Sequence, residues 1–222
     1  MKKLTTILLA SIAFVACTQT KKAETTIEHL QQPAKSAISI HEIYDAGEYI
    51  SVIAKHAPES SFRTAFANQP MVGFVAVADT ARFMEAMRTD SVRMALPEDC
   101  CVMLNQFKAD VPEEEGEIYA VYLVNMNEDR SLWSPTLDDL YVSDETFAGH
   151  AVISLQFSEK DTKQWATMTR QNIGKYIAIV LDNHALSVPR VNMEIENGAA
   201  SLSAPFTREE ASAIVDKIIG RK

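Results

Sequence analysis

Residues 151–157 read Ala-Val-Ile-Ser-Leu-Gln-Phe, so that Val152, Ser154 and Gln156 alternate against Ile153, Leu155 and Phe157. Side chains along a strand point to opposite faces in turn, so this pattern predicts a strand with one buried face. Ser158 follows at an N-cap position with Asp161 three residues on, close to a capping box. The helix predicted from Glu159 to about Ile173 puts Trp165, Met168 and Ile173 on or near one side, and Gly174 supplies the left-handed residue that ends it. Tyr176 to Leu181 is a second apolar strand. Asp182 and Asn183 tolerate positive φ and predict a tight reversal, with Ala185 to Val191 returning as the hairpin partner. Pro189 has no N–H to give, which marks that strand as an edge or as bulged. Beyond the Asn197-Gly198 turn, Ala200 to Ser203 form a short strand. Thr207 and Glu210 then form a capping box for a last helix, whose buried stripe is Ala211, Ile214, Val215 and Ile218. Strand, helix, hairpin, strand, helix is the order of an α+β fold: a largely antiparallel sheet packed by helices.

The first half is patterned less sharply. Met71 to Ala78 reads as a strand, and Asp79 as the N-cap of a helix with Phe83, Met84 and Met87 along one stripe. A short helix over Asp90 to Leu96 is closed by Pro97. Cys100 to Phe107 and Glu117 to Asn125 read as strands, joined through a turn at Pro112 to Gly116. Asp129 to Asp139, with Trp133 and Pro135, reads as a polar loop, while Val142 to Gly149 fits no single pattern.

The chain's start fixes where such a fold works. Lys2 and Lys3 precede an apolar run from Leu4 to Val15, interrupted by Thr5, Thr6 and Ser11. A membrane span needs about 20 apolar residues, so this run reads as the core of a secretory signal. It closes on Ala16-Cys17, which resembles the lipobox read by lipoprotein-processing enzymes, although Phe14 is an unusual residue there. Residues 1–16 are therefore expected to be a lipoprotein signal peptide, with Cys17 as the lipidation site bearing acyl chains such as palmitate on its sulfur and amine. Residues 17–37 lack apolar periodicity and read as a flexible tether. No acidic cluster follows Cys17, which favours a periplasm-facing body held to a membrane of the cell envelope. The formal charge of −9 argues against nucleic-acid partners.

Nothing in the sequence assembles a catalytic or metal centre. His29, His41, His56, His150 and His184 are scattered, and Cys100 and Cys101 lack the further ligands a zinc site needs. The adjacent cysteines read as the start of a strand with one facing the core, a vicinal disulfide being the rarer alternative. Asp182, His184 and Ser187 lie around a hairpin turn without an oxyanion-type Gly-rich turn, and Glu209 and Glu210 suit the first turn of a helix. No glycine pair has the spacing of a phosphate loop. The expectation is a non-enzymatic protein with no cofactor and no metal.

The stretch from Asn172 through Gly174, Lys175 and Tyr176 to Asp182 resembles the signature of SecD, the membrane protein that assists Sec-dependent export. The resemblance continues through Ser187-Val188-Pro189, Gly198 and Phe206 to Ala211, and upstream through Ala151 to Phe157 and Trp165 to Thr169, covering roughly residues 148 to 218. A looser likeness to the first periplasmic domain reaches back through Val72-Gly73, Asp79 to Ala81, Leu96-Pro97 and the strand at 117–125. Asn183 and Ala204 depart from it, glycine being usual or frequent there. The resemblance implies a SecD-like periplasmic domain, with residues 38–147 as its N-terminal α+β part and 148–222 as its C-terminal subdomain. It also implies exported preproteins or Sec translocon components as partners; reuse of the fold as an assembly subunit of another envelope complex is the alternative. SecD continues into membrane spans, whereas this sequence holds no second apolar run of that length, so the proton-coupled work attributed to those spans is not expected here.

Overall fold

A computed structural model of the protein describes residues 28–221 apart from 60, 67, 106–116 and 148. The signal segment, Cys17 and the turn expected at Pro112 to Gly116 lie outside the described residues. The described chain runs β1 (Ala34–Lys35), β2 (Ser39–Glu42), α1 (Ala46–His56), β3 (Phe62–Thr64), β4 (Gly73–Ala76), α2 (Thr80–Met87), α3 (Asp90–Arg93), β5 (Cys100–Leu104), β6 (Ile118–Asn125), β7 (Leu132–Trp133), β8 (Thr136–Phe147), β9 (His150–Phe157), α4 (Glu159–Gln171), β10 (Ile177–Leu181), β11 (His184–Ser187), β12 (Ala199–Ser203) and α5 (Arg208–Ile218). The strands form three four-stranded sheets, ordered β3-β4-β6-β5, β11-β10-β2-β7 and β1-β8-β9-β12. Every strand pairing within them is antiparallel. The expected α+β class with a largely antiparallel sheet packed by helices is what the chain forms.

Side-chain alternation decides how the layers stack. In β6, Val121 and Leu123 join Phe83, Ile53 and Val92 of the helices α1–α3 in one core. Ala120, Tyr122 and Val124 point the other way and meet Ala178, Val180 and Ala185 of the second sheet. The opposite face of β10, with Ile177, Ile179 and Leu181, enters the largest core together with the third sheet, α4 and α5. In β9 the alternation is realised as expected, with Ala151, Ile153, Leu155 and Phe157 buried. Strands β8 and β9 pair across the expected division near residue 148, so the two parts share a sheet.

Close approach of β3 to β4 depends on Gly73. A Cβ there would run into the Arg63 carbonyl and the Phe62 ring. Gly73→Ala is expected to destabilise the fold by about 2 kcal/mol through this overpacking, seen as a lower denaturation midpoint with an unchanged slope.

Several local expectations are corrected. Residues 28–37, read as the second half of a tether, lie against the body: Leu30 N donates to Asp139 Oδ1 at 3.1 Å, β1 pairs with β8, and Ala37 N donates to Ile218 O at 2.7 Å. These residues carry no periodicity because they contribute main-chain bonds rather than an apolar face. The expected loop at 129–139 contains β7 and the start of β8, recruited by pairing with β2 and β9. Asp79 makes no side-chain cap to α2, because a 3-10 turn over Val77–Asp79 already leads into the helix. Ser158 caps no main-chain amide either; its hydroxyl donates to Asp161, whose carboxylate accepts from Thr136 N at 2.7 Å. Ile173 is exposed rather than part of the α4 stripe, since the helix ends at Gln171. Thr207 and Glu210 do form the capping box of α5.

Candidate functional site

The candidate site is a groove of about 1070 Å³ beside β5. One wall is the end of α2 with α3, through Met84, Met87 and Met94. The floor is Cys100 to Val102 with Leu104, and the far rim is the β10–β11 turn at Asp182 to His184. Methionine is flexible and polarisable and adapts to differently shaped apolar partners. Met94 leaves 87% of its surface in solvent, an exposed apolar side chain at the mouth.

The turn follows from sequence: Asp182 and Asn183 both adopt positive φ, 51° and 61°, the geometry of a two-residue hairpin reversal. It ends β11 at His184, so β11 meets β5 only at the parallel bridge between Ala185 and Asn105. Below that bridge the two sheet edges part and leave the groove.

The orientation of β5 can be read from its neighbours. Met126 N donates to Asp99 O at 2.7 Å, and Asn105 N donates to Ala120 O at 3.1 Å. Antiparallel ladders alternate, so odd-numbered residues of β5 turn their main-chain groups toward β6 and even-numbered residues turn theirs toward the groove. The Cys100 amide donates to Pro97 O at 2.9 Å. The outward groups that remain are the Cys100 carbonyl, the amide and carbonyl of Val102, and the Leu104 amide. Among the described residues no strand pairs with this edge.

Cys100 and Cys101 are both free, and their side chains leave opposite faces of β5: Cys100 packs on the helix side and Cys101 on the side of the second sheet. Burial, with the neighbouring Cys101 and Asp99, pushes the Cys100 thiol up to about 12, and burial also raises Cys101. Both thiols stay protonated at neutral pH, which makes them poor nucleophiles and poor metal ligands.

The sequence's remaining candidates are not brought together. His184 Nδ1 lies 2.8 Å from the carbonyl of Asp182, not from its carboxylate, and that carboxylate lies 4.0 Å from Lys217 Nζ. The turn pair is thus a local contact at the groove rim. His29 bonds Asp139 at 2.6 Å and His41 is buried between sheets. Among the described residues no three His, Cys, Asp or Glu gather as a metal site. The open β5 edge itself had no sequence signal, because it is created by where a turn eighty residues downstream stops.

Residues 113–216 match the family model described as SecDF, P1 head subdomain. The protein translocase subunit SecD of Rhodothermus marinus is 31% identical over 143 residues, covering 64% of this chain and 22% of that protein. SecD of Rickettsia bellii is 41% identical over 64 residues, 29% of this chain and 12% of that protein. The chain therefore spans about a fifth or less of these curated relatives. A solved structure described as "Structure and function of a membrane component SecDF that enhances protein export" overlaps loosely, with a TM-score of 0.38 and 22% identity over 83% of this chain and 63% of that one.

Proposed function

We propose that this protein, whose residues 113–216 match the SecDF P1 head subdomain model, is a lipid-anchored, non-enzymatic periplasmic domain that binds exported polypeptide or the protein-export apparatus. The observation that carries the reading is the methionine-walled groove with an open strand edge on its floor. Such an edge suits extended chain, the form a polypeptide has before it folds. The anchor rests on the Ala16-Cys17 sequence after the apolar run. No described helix is long and apolar enough to cross a membrane.

The test is photo-crosslinking in intact cells from a reactive residue at Met94, with the captured proteins identified by mass spectrometry. Recovery of many unrelated exported proteins, or of Sec components, is the expected result. Recovery of one envelope protein alone would instead make the chain an assembly subunit of another complex. Cys17→Ser is expected to move the protein from the membrane fraction to the soluble one and to abolish acyl labelling. Full membrane retention of that variant would remove the anchor from the reading.

A further inference from the structure

The geometry points to strand addition at β5: the groove takes an extended, apolar polypeptide segment as a further strand against residues 100–104, read through its main chain rather than its sequence. This deepens, and rests on, the proposed polypeptide-binding function. The outward groups of Cys100, Val102 and Leu104 offer two acceptors and two donors at the two-residue spacing of a ladder. Apart from a 3.8 Å contact from the Cys101 thiol to the Val102 carbonyl, they face the groove. The existing bridge from Asn105 to Ala185 sets one end of the site, and an added strand occupies the line that β11 leaves when its turn closes at Asp182 and Asn183.

Main-chain bonds give affinity in this mode, while alternate side chains are sorted by the walls. One set meets the methionines and Leu96, and the other points toward the Asp182 to His184 turn. The wall accepts differing apolar side chains because methionine repacks readily. Charge selects the flanks. The groove is lined by Asp90, Glu98 and Asp182 against Arg88 and Arg93, with Arg93 3.8 Å from Asp90 and Asp182 4.0 Å from Lys217, and the chain carries a net charge of −9. Basic residues on either side of the apolar stretch are therefore favoured, and acidic ones opposed.

The test uses the soluble Cys17→Ser full chain and a fluorescent peptide of alternating valine and threonine with lysines at both ends. Binding is compared with two versions N-methylated on one or the other alternate set of amides. Losing two ladder bonds is expected to weaken binding about tenfold for one set, while methylation of the set facing solvent leaves it unchanged. Val102→Pro, which removes an outward donor on an edge strand where proline is tolerated, is expected to weaken the unmodified peptide similarly. Equal binding of all three peptides would overturn strand addition and leave polypeptide binding standing. No binding of any peptide at high micromolar concentration would overturn both.

Discussion

Trp165→Ala is expected to cost about 3–5 kcal/mol, a large share of the 5–15 kcal/mol that holds a domain of this kind together. Trp165 is 2% exposed, on the α4 face that enters the largest core. Its ring lies 5.3 Å from that of Phe157 at 59°, a tilted aromatic contact, and its Nε1 donates to Ala199 O at 3.1 Å. One side chain thus ties α4 to β9 by packing and to β12 by a hydrogen bond. Truncation opens a cavity the size of an indole where α4 packs on β9 and β12, two strands that cannot close over it without breaking their pairing. Trp165→Phe separates the two contributions: it keeps much of the apolar volume and leaves the Ala199 carbonyl without its donor, at about 1–3 kcal/mol. Denaturant midpoints measure both variants. A loss under about 1 kcal/mol for the alanine variant would mean that α4 is docked chiefly by its other contacts.

What the sequence revealed depended on whether the signal was local. The β9 strand, the α5 capping box and the Asp182-Asn183 reversal were legible because each is decided within about ten residues by face alternation, a side-chain cap or tolerance of positive φ. The match of residues 113–216 to the head-subdomain family agrees with the resemblance read from the stretch around Asn172 to Asp182. Residues 28–37 and 129–139 were misread because their structure is lent by distant partners: β8 for the first, β2 and β9 for the second. The cluster that joins buried Glu42 and Asn172 to the exposed Arg130 was equally hidden. Arg130 Nη2 lies 2.7 Å from Glu42 Oε2, and Asn172 Nδ2 donates to Glu42 Oε1 at 3.0 Å, joining residues 130 positions apart. Asn172 opens the stretch that resembles SecD, and its side chain also explains its place: it donates to the Met168 carbonyl at the end of α4 and fastens that end to β2. The groove belongs to the same class, since neither β5 nor the downstream turn announces that the two edges part where they do.

His41 gives the second large effect, and its sign follows from its partners. The ring is fully buried between the first two sheets. Nε2 lies 2.7 Å from Ser39 Oγ, while Nδ1 lies 2.8 Å from Ser131 Oγ and 3.2 Å from the Asn125 carbonyl. Ser131 Oγ already donates to the Asn127 carbonyl at 2.7 Å, so Nδ1 must carry the proton, and Nε2 accepts from Ser39. The Trp133 ring stands edge-on at 4.8 Å. The neutral ring is fully satisfied; a second proton would put a donor against the Ser39 hydroxyl and a charge in a site burial has stripped of water. Burial lowers the pKa from 6.5 to about 4, the Asn125 carbonyl opposing in part. Between those values the unfolded chain binds a proton that the folded chain refuses. Stability is therefore highest above pH 6.5 and falls as pH drops toward 4, by up to about 3 kcal/mol. The Asp139 carboxylate, held low mainly by its bond to His29 against the opposing effect of burial, loses its contribution only below the ordinary carboxylate range. The two windows are thus separate. His41→Gln, which retains a donor and an acceptor, is expected to flatten the stability profile from pH 6.5 to 4 while leaving the acid limb below it. Parallel profiles for the two proteins across that interval would show that His41 is protonated within the fold at little cost, and that the seam between the sheets does not depend on its neutrality.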